Sequence, residues 1–433
     1  MPDTTSALRT LAPELARYRL GPSTGSTTEH RLAAAAQAGR QQAADRLAGR
    51  FGGFRLDATR QNIDAKVPAI FKTAPWFLDQ LDAVDAVDRA LRGSDVRPGH
   101  LRFADGTRRG AIPEVADHIT DPAGEAGVHE LLPFATAMAL RDEYTVVFNN
   151  LVPRLRGPLQ NLTDDLARVL GTMPQVNAYI SERGAPGFGR HWDDHDVVIL
   201  QMTGRKQWTL FEPSDLSPRL GYTSSRAFGD DYFTTVLEPG LGLYLPRGWG
   251  HEVKGFPGEQ SVHYTVGIRH LTMIDVLNSR ISELASEDGS ARVSLDDPLG
   301  FPSLHLGADE IEHAIGAHRA RFTSFGGGGP LTIFRLAERE FDGAAFSAAF
   351  TGGLVLADHP ALADGEVAFG AAGHVFAVAG PAIDDIEALL AGRRLVVDRS
   401  HPDSGSVGSL PTLTRLARFG VVAVDRADRV EVR

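Results

Sequence analysis

Two stretches of this chain carry residue types that could hold a metal ion. The first is Gly189-Arg190-His191-Trp192-Asp193-Asp194-His195-Asp196, which runs directly into the apolar Val197-Val198-Ile199-Leu200. The second, sixty residues on, is Tyr244-Leu245-Pro246-Arg247-Gly248-Trp249-Gly250-His251. Two imidazoles and one carboxylate, from His191, Asp193 and His251, can cover one face of an iron(II) ion and leave the opposite positions open for substrate and dioxygen. His191 and Asp193 are two apart, so a strand through them would project both side chains from one face. A His-x-Asp pair alone is also what a polar surface turn looks like, and Asp194, His195 and His263 are rival ligands close by.

A cation strengthens the grouping. The chain uses arginine almost throughout and keeps lysine only at Lys66, Lys72, Lys206 and Lys254. After the apolar run, the turn Thr203-Gly204 leads to Arg205-Lys206-Gln207-Trp208, a hairpin-like arrangement that places Lys206 beside the metal pair. A lysine pointing into a barrel is costly without an anion to pair with, so Lys206 reads as an anion anchor. Lys254 falls on the other face of its strand, toward solvent.

These residues need a β framework, and the texture from about Gly110 to Arg269 supplies one. Short β-rich runs at Tyr144–Phe148, Val176–Ile180 and Trp208–Phe211 are separated by Gly/Pro/Asp turns, the pattern of a barrel or sandwich. A helix over Leu159–Leu170, closed by Gly171, interrupts them. The first hundred residues read as mostly helical, with runs from Thr28 to Arg50 and from Phe77 to Leu91. From Leu271 to Phe325 apolar residues again recur at helical spacing, with Met273, Val276, Leu277 and Ile281 on one face. Gly326–Pro330 reads as a linker. Beyond it, strands at His374–Val378, Arg394–Val397 and Val421–Val424 alternate with helices at Asp384–Ala391 and Leu410–Phe419, an order that suits a small α+β module of winged-helix type.

At 433 residues, 42% hydrophobic and 23% charged, the chain is an ordinary globular composition with room for several domains. Its net charge of −11 argues against broad attraction to nucleic-acid phosphates and suits a basic partner. The absence of cysteine excludes disulfides, thiolate metal sites and thiol nucleophiles. No signal peptide or membrane-spanning run is apparent, so a cytoplasmic location is expected.

Five blocks in order resemble one known family: Asn177-Ala178-Tyr179-Ile180, Gly187–Asp193, Asp196–Gln201, Gly204–Trp208 and Leu243–His251 look like the JmjC-type cupins called ribosomal oxygenases. The resemblance covers roughly residues 140–270. It implies an α+β chain built on a double-stranded β-helix (cupin/JmjC) barrel at 110–270, with N-terminal helices over 1–109, a helical dimerisation segment at 271–325 and a winged-helix-like domain at 330–433. It implies iron(II) on His191, Asp193 and His251. Lys206 would hold the distal carboxylate of the cosubstrate 2-oxoglutarate, and Asn177 and Tyr179 would line its pocket. Arg190 departs from the pattern, standing where the family commonly has proline.

The activity so implied is a dioxygen-dependent hydroxylation of a protein side chain, arginine or histidine of a basic ribosomal protein, with release of succinate and carbon dioxide. A homodimer is expected, with no membrane partner and no nucleic acid. Hydroxylation of a peptide natural-product precursor, or removal of a methyl group, uses the same chemistry. A non-catalytic metal-binding cupin is the rival from another class, and Lys206 and Asn177 argue against it, since a structural site needs no cosubstrate anchor. A DNA-reading role for the C-terminal module would rest on Arg415 and Arg418, too few for a basic stripe.

Overall fold

A computed structural model describes residues 8–56, 67–81, 83–91, 100–104, 109–110, 136–137, 139–141, 143–151, 157–172, 174–185, 187–213, 228–287, 307–322, 345–350, 353–393, 395–397 and 410–427. The chain divides into two compact units, one of residues 44–166 and 173–270, the other of residues 1–43, 167–172 and 271–433. The expected linker at Gly326–Pro330 lies outside the described residues.

The strands are numbered along the chain: β1 (Leu8–Leu11), β2 (Arg17–Arg19), β3 (Ala69–Lys72), β4 (Leu101–Ala104), β5 (Arg109–Gly110), β6 (Thr145–Phe148), β7 (Gln175–Ser181), β8 (Asp196–Thr203), β9 (Lys206–Phe211), β10 (Asp231–Leu237), β11 (Leu241–Leu245), β12 (Gly250–Gly255) and β13 (Ser261–Ile268). The first unit folds β3 to β13 into two antiparallel sheets. The larger has the order β3-β11-β8-β13-β7-β6-β4-β5, and the smaller β10-β9-β12. Alternation decides what lies between them. Val197 and Ile199 of β8, Trp208 and Leu210 of β9, and Leu243 and Leu245 of β11 form one buried cluster with Trp249, the same-face residues expected at a spacing of two. Strand β13, between β8 and β7, is buried along its whole length.

One sequence expectation is corrected here. β8 and β9 are consecutive but do not form a hairpin, because β8 pairs with β11 and β13 while β9 pairs with β10 and β12. Gly204 and Arg205 carry the chain around a corner from the large sheet to the small one. Gly204 has a φ of 60°, and a Cβ there would lie 1.9 Å from the Gln260 carbonyl oxygen, so only glycine fits. The buried Gln201 amide donates to the Thr203 carbonyl at 2.8 Å and to Ser261 Oγ at 2.9 Å, fastening the same corner. The corner turns Lys206 inward.

The helix expected over Leu159–Leu170 is present as Pro158–Leu170, with Gly171 at φ 65° donating back to the Ala167 carbonyl at 2.8 Å. The run from Phe77 to Leu91 forms two short helices, Pro75–Leu81 and Ala83–Leu91.

The second unit is α+β. Its later strands are β14 (Ala345–Phe350), β15 (Leu356–Asp358), β16 (Val367–Ala371), β17 (His374–Val378), β18 (Leu395–Val397) and β19 (Val422–Ala427). They make a five-stranded sheet, β1-β17-β16-β15-β2, and a three-stranded one, β18-β14-β19. Residues 1–109 are therefore not simply helices: β1 and β2 form the two edges of a sheet whose centre lies more than 300 residues later, and β3 and β4 join the eight-stranded sheet. The long helix Thr27–Arg50 is where it was expected. Pro381–Leu390 and Leu410–Arg418 fall close to their expected positions. The Arg415 guanidinium donates to the Leu8 carbonyl and so serves this unit's interior. In helix Met273–Glu287 the proposed apolar face splits, with Val276 buried while Met273 and Ile281 are exposed. No helix among the described residues is long and apolar enough to cross a membrane.

Candidate metal centre

His191, Asp193 and His251 converge, with one potential ligand atom of each lying within 4.8 Å of the others. They do so without the shared strand expected from the His-x-Asp spacing. His191 makes an isolated antiparallel bridge to His251, its N–H donating to the His251 carbonyl at 3.1 Å and the reverse bond measuring 2.7 Å. Asp193 sits on the irregular segment just before β8. Its backbone carbonyl accepts from the Gly248 N–H at 2.9 Å, which ties the Asp193 segment to the turn that leads into β12. The two histidine segments are thus one local sheet-like pair, and Asp193 is carried past its end.

The imidazoles are held in matching ways. His191 Nδ1 lies 2.7 Å from the Gly189 carbonyl and His251 Nδ1 3.3 Å from the Trp249 carbonyl, each two residues upstream. Donation of Nδ1–H to a carbonyl fixes the tautomer that presents Nε2 as a lone pair, the state a metal ligand requires. His251 Nε2 stands 3.8 Å from Asp193 Oδ2, and the two imidazole centroids are 4.2 Å apart. Burial, then His191, push the His251 pKa down to about 4 against the opposing pull of Asp193, so His251 is neutral across the physiological range. Burial works to raise the Asp193 carboxyl, but His251, His191 and His195 outweigh it and hold it below its ordinary value. A carboxylate and two imidazoles are a donor set for a borderline divalent cation.

A second buried network shapes the turn before His251. The Asp196 carboxylate, 2% exposed, accepts from the Tyr244 hydroxyl at 2.8 Å and the Arg247 N–H at 3.0 Å, with His270 Nε2 at 2.7 Å. The rival ligands are engaged elsewhere: His195 Nδ1 is 2.9 Å from Asp194 Oδ1, and Arg269 pairs with the same carboxylate at 3.3 Å.

The triad opens into a cavity lined also by Tyr179, Phe188, Lys206, Trp208, His263, Thr145 and Thr265. Lys206 is 2% exposed, and burial pushes its pKa down to about 7. Among the described residues no carboxylate lies within ion-pair distance of it. Lys254, by contrast, is exposed and pairs with Glu252 at 3.4 Å. Asn177 is not in the cavity wall; its Oδ1 accepts from the N–H of Asn150 at 3.0 Å. His263 does line the cavity but stands apart from the triad. Thr145 and Thr265 were not singled out from the sequence. Thr265 had a signal, since it is two residues from His263 on β13 and therefore on its face.

Residues 152–276, which hold the two-histidine, one-carboxylate group, match the JmjC domain family. Over 106 residues the chain is 39% identical to ribosomal oxygenase 1 of Rattus norvegicus, covering 23% of this chain and 18% of that protein. Over 96 residues it is 43% identical to the bifunctional lysine-specific demethylase and histidyl-hydroxylase NO66 of Dictyostelium discoideum, covering 21% and 19%. The chain thus matches about a fifth of the length of these curated relatives. A crystal structure of Escherichia coli ribosomal oxygenase YcfD aligns over 86% of this chain and 98% of its own at 17% identity, with a TM-score of 0.48.

Proposed function

We propose that this chain is an iron(II)- and 2-oxoglutarate-dependent oxygenase that hydroxylates an arginine or histidine side chain of a ribosomal protein. One observation carries the reading: a cavity with a two-histidine, one-carboxylate group and a buried lysine that has no carboxylate partner among the described residues. A purely structural metal site needs the first and not the second. The fit to the absent groups is good, since the triad presents two Nε2 lone pairs and a carboxylate, and the lysine is a partner for a far carboxylate. His191, Asp193 and His251 would hold the iron. Lys206 would pair with the distal carboxylate of 2-oxoglutarate, and the Tyr179 ring would form part of the cosubstrate wall.

Such a centre, when loaded, supplies the oxidation by dioxygen that couples conversion of 2-oxoglutarate to succinate and carbon dioxide with hydroxylation of a C–H bond. The rest falls to the chain's residues. The backbone bonds of His191 and His251 keep their rings oriented, Trp208 and Phe188 exclude water, and the Lys206 charge fixes the cosubstrate lengthwise. The names of both relatives favour a ribosomal or histidyl substrate, and the net charge of −11 is compatible with a basic one.

The test is turnover. The full chain, loaded with iron under anaerobic conditions and then given oxygen and 2-oxoglutarate, should release succinate, and Asp193→Ala should not. Absence of iron-dependent succinate from the wild type would overturn the reading. Mass spectrometry of the host's ribosomal proteins should then find a residue that gains one oxygen. We further propose a homodimer formed through helix Met273–Glu287, where Met273, Ile274 and Ile281 are 54–56% exposed. Light scattering that finds only monomer at micromolar concentration would sink it.

A further inference from the structure

The cavity has two ends, and β9 measures their separation. His251 pairs with Leu210, four residues along β9 from Lys206, so the metal end and the lysine end are about 13 Å apart along the strand. On the opposite sheet, β13 runs past the same two ends. Its Ile268 pairs with Asp196, beside the triad segment, whereas His263 lies five residues away opposite Gln201. Trp208 stands between, its ring centroid 5.8 Å from that of His251 and 5.7 Å from that of His263. Lys206 and His263 therefore belong to the same end of the cavity.

His263 is built to hold one orientation. Its ring stacks on Tyr179 at 4.8 Å with an interplanar angle of 9°, and Trp208 meets it edge-on at 72°. It is 2% exposed, and its Nδ1 has no hydrogen-bond partner among the described residues. A buried polar atom left unpaired is costly, and a packing role alone would be filled better by phenylalanine. Burial, then the neighbouring Lys206, hold the His263 pKa well below its ordinary value. His263 is thus a neutral ring with one N–H to give, set beside a lysine that has no carboxylate partner among the described residues.

We propose that His263 is a second anchor for the far carboxylate of a 2-oxo dicarboxylic acid, donating a hydrogen bond to it beside Lys206, and that it selects such acids over 2-oxo acids ending in a methyl group. This rests on the 2-oxoglutarate reading above. A neutral donor suits the place: a second cation would repel Lys206, whereas a hydrogen bond to a charged carboxylate adds affinity and direction.

The experiment is calorimetric titration of the manganese-loaded full chain, without oxygen, with 2-oxoglutarate and with 2-oxopentanoate. The second ligand has the same carbon skeleton length but a methyl group in place of the far carboxylate. His263→Phe keeps a ring against Tyr179 and removes both nitrogens. It should weaken 2-oxoglutarate about 10- to 100-fold, leave 2-oxopentanoate within about 2-fold, and leave manganese affinity unchanged. His263→Asn, which restores a donor, should recover part of the loss. Unchanged 2-oxoglutarate binding in His263→Phe, or an equal loss of both ligands, overturns the proposal and leaves the 2-oxoglutarate reading standing. A wild type that binds manganese but not 2-oxoglutarate overturns that reading, and this proposal with it.

Discussion

A lysine sealed inside a barrel disfavours the empty fold at neutral pH. The ordinary lysine value of 10.5 falls to about 7 at Lys206 through burial, a difference worth on the order of 5 kcal/mol. The folded pKa is the lower one, so between pH 7 and 10.5 the unfolded chain holds the proton more tightly and stability rises with pH. Below pH 7 the full penalty remains. Lys206→Met should therefore unfold at a higher temperature than the wild type, by about 5–10 °C near pH 6, with the gap closing toward pH 10. Thermal unfolding of the ligand-free protein across that range checks this, and a gap that does not shrink with pH would sink it. The same residue should make 2-oxoglutarate binding take up protons at pH 8, because an anion favours the charged ammonium. At this scale the sequence was informative about types and silent about partners. A local spacing and a rare lysine pointed to His191, Asp193, His251 and Lys206, with Asp194, His195 and His263 as rivals, and the fold brings the first four to one cavity. The Gly189 and Trp249 carbonyls lie only two residues before their imidazoles, but spacing does not say that each ring turns back onto its own backbone. That His263 Nδ1 has no partner among the described residues depends on how distant strands pack. Asn177 shows the same limit, since its strand position was readable but its use by the Asn150 N–H was not.

Within the barrel unit, the end of helix Thr27–Arg50 is fastened to helix Pro158–Leu170 by one carboxylate. Asp165, 5% exposed, takes Arg50 Nη1 at 2.5 Å and Arg46 Nη2 at 2.6 Å, and Arg50 also lies 5.5 Å over the Phe77 ring. Arg50 is itself 8% exposed, so removing Asp165 strands a buried cation. Asp165→Ala should cost about 3–5 kcal/mol in urea unfolding, while Arg50→Met in the same background should return part of it. An Asp165→Ala midpoint equal to that of the wild type would show that the pair contributes nothing. Elements were legible where one face had to be apolar. β7, β9 and the helix Pro158–Leu170 follow from alternation or helical spacing within a residue or two. Strand partners were not legible, because a period of two says which face is buried and not which neighbour completes the sheet. That is why a turn-linked β8 and β9 look like a hairpin, when the Gly204 corner sends them to different sheets.

At the scale of the whole chain, the second unit is assembled from both ends of the sequence. β1 pairs with β17 from Leu8↔Val378 to Leu11↔Val375, and β2 pairs with β15 through Arg19↔Leu356. Leu8 is wholly buried in a core made mostly of residues 354–422. Tyr18 stacks on His313 at 5.5 Å and donates its N–H to His313 Nδ1 at 3.0 Å. Arg9 and Glu366 form an ion pair, and Arg415 donates to the Leu8 carbonyl. Removing residues 1–20 would take away both edges of the five-stranded sheet, leaving β17 and β15 with open hydrogen-bonding edges and the Leu8 and Tyr18 positions empty. The triad and the buried Lys206 all lie in the other unit, which keeps its own two sheets and apolar cluster. The truncated chain should therefore lose amide-exchange protection over residues 354–378 and gain self-association through the freed edges. Its manganese affinity should stay within about 3-fold of the wild type, because no ligand or ligand-orienting carbonyl has been touched. Full protection of β15 to β17 in the truncated chain would show that the N-terminal strands only cover a sheet that is stable without them.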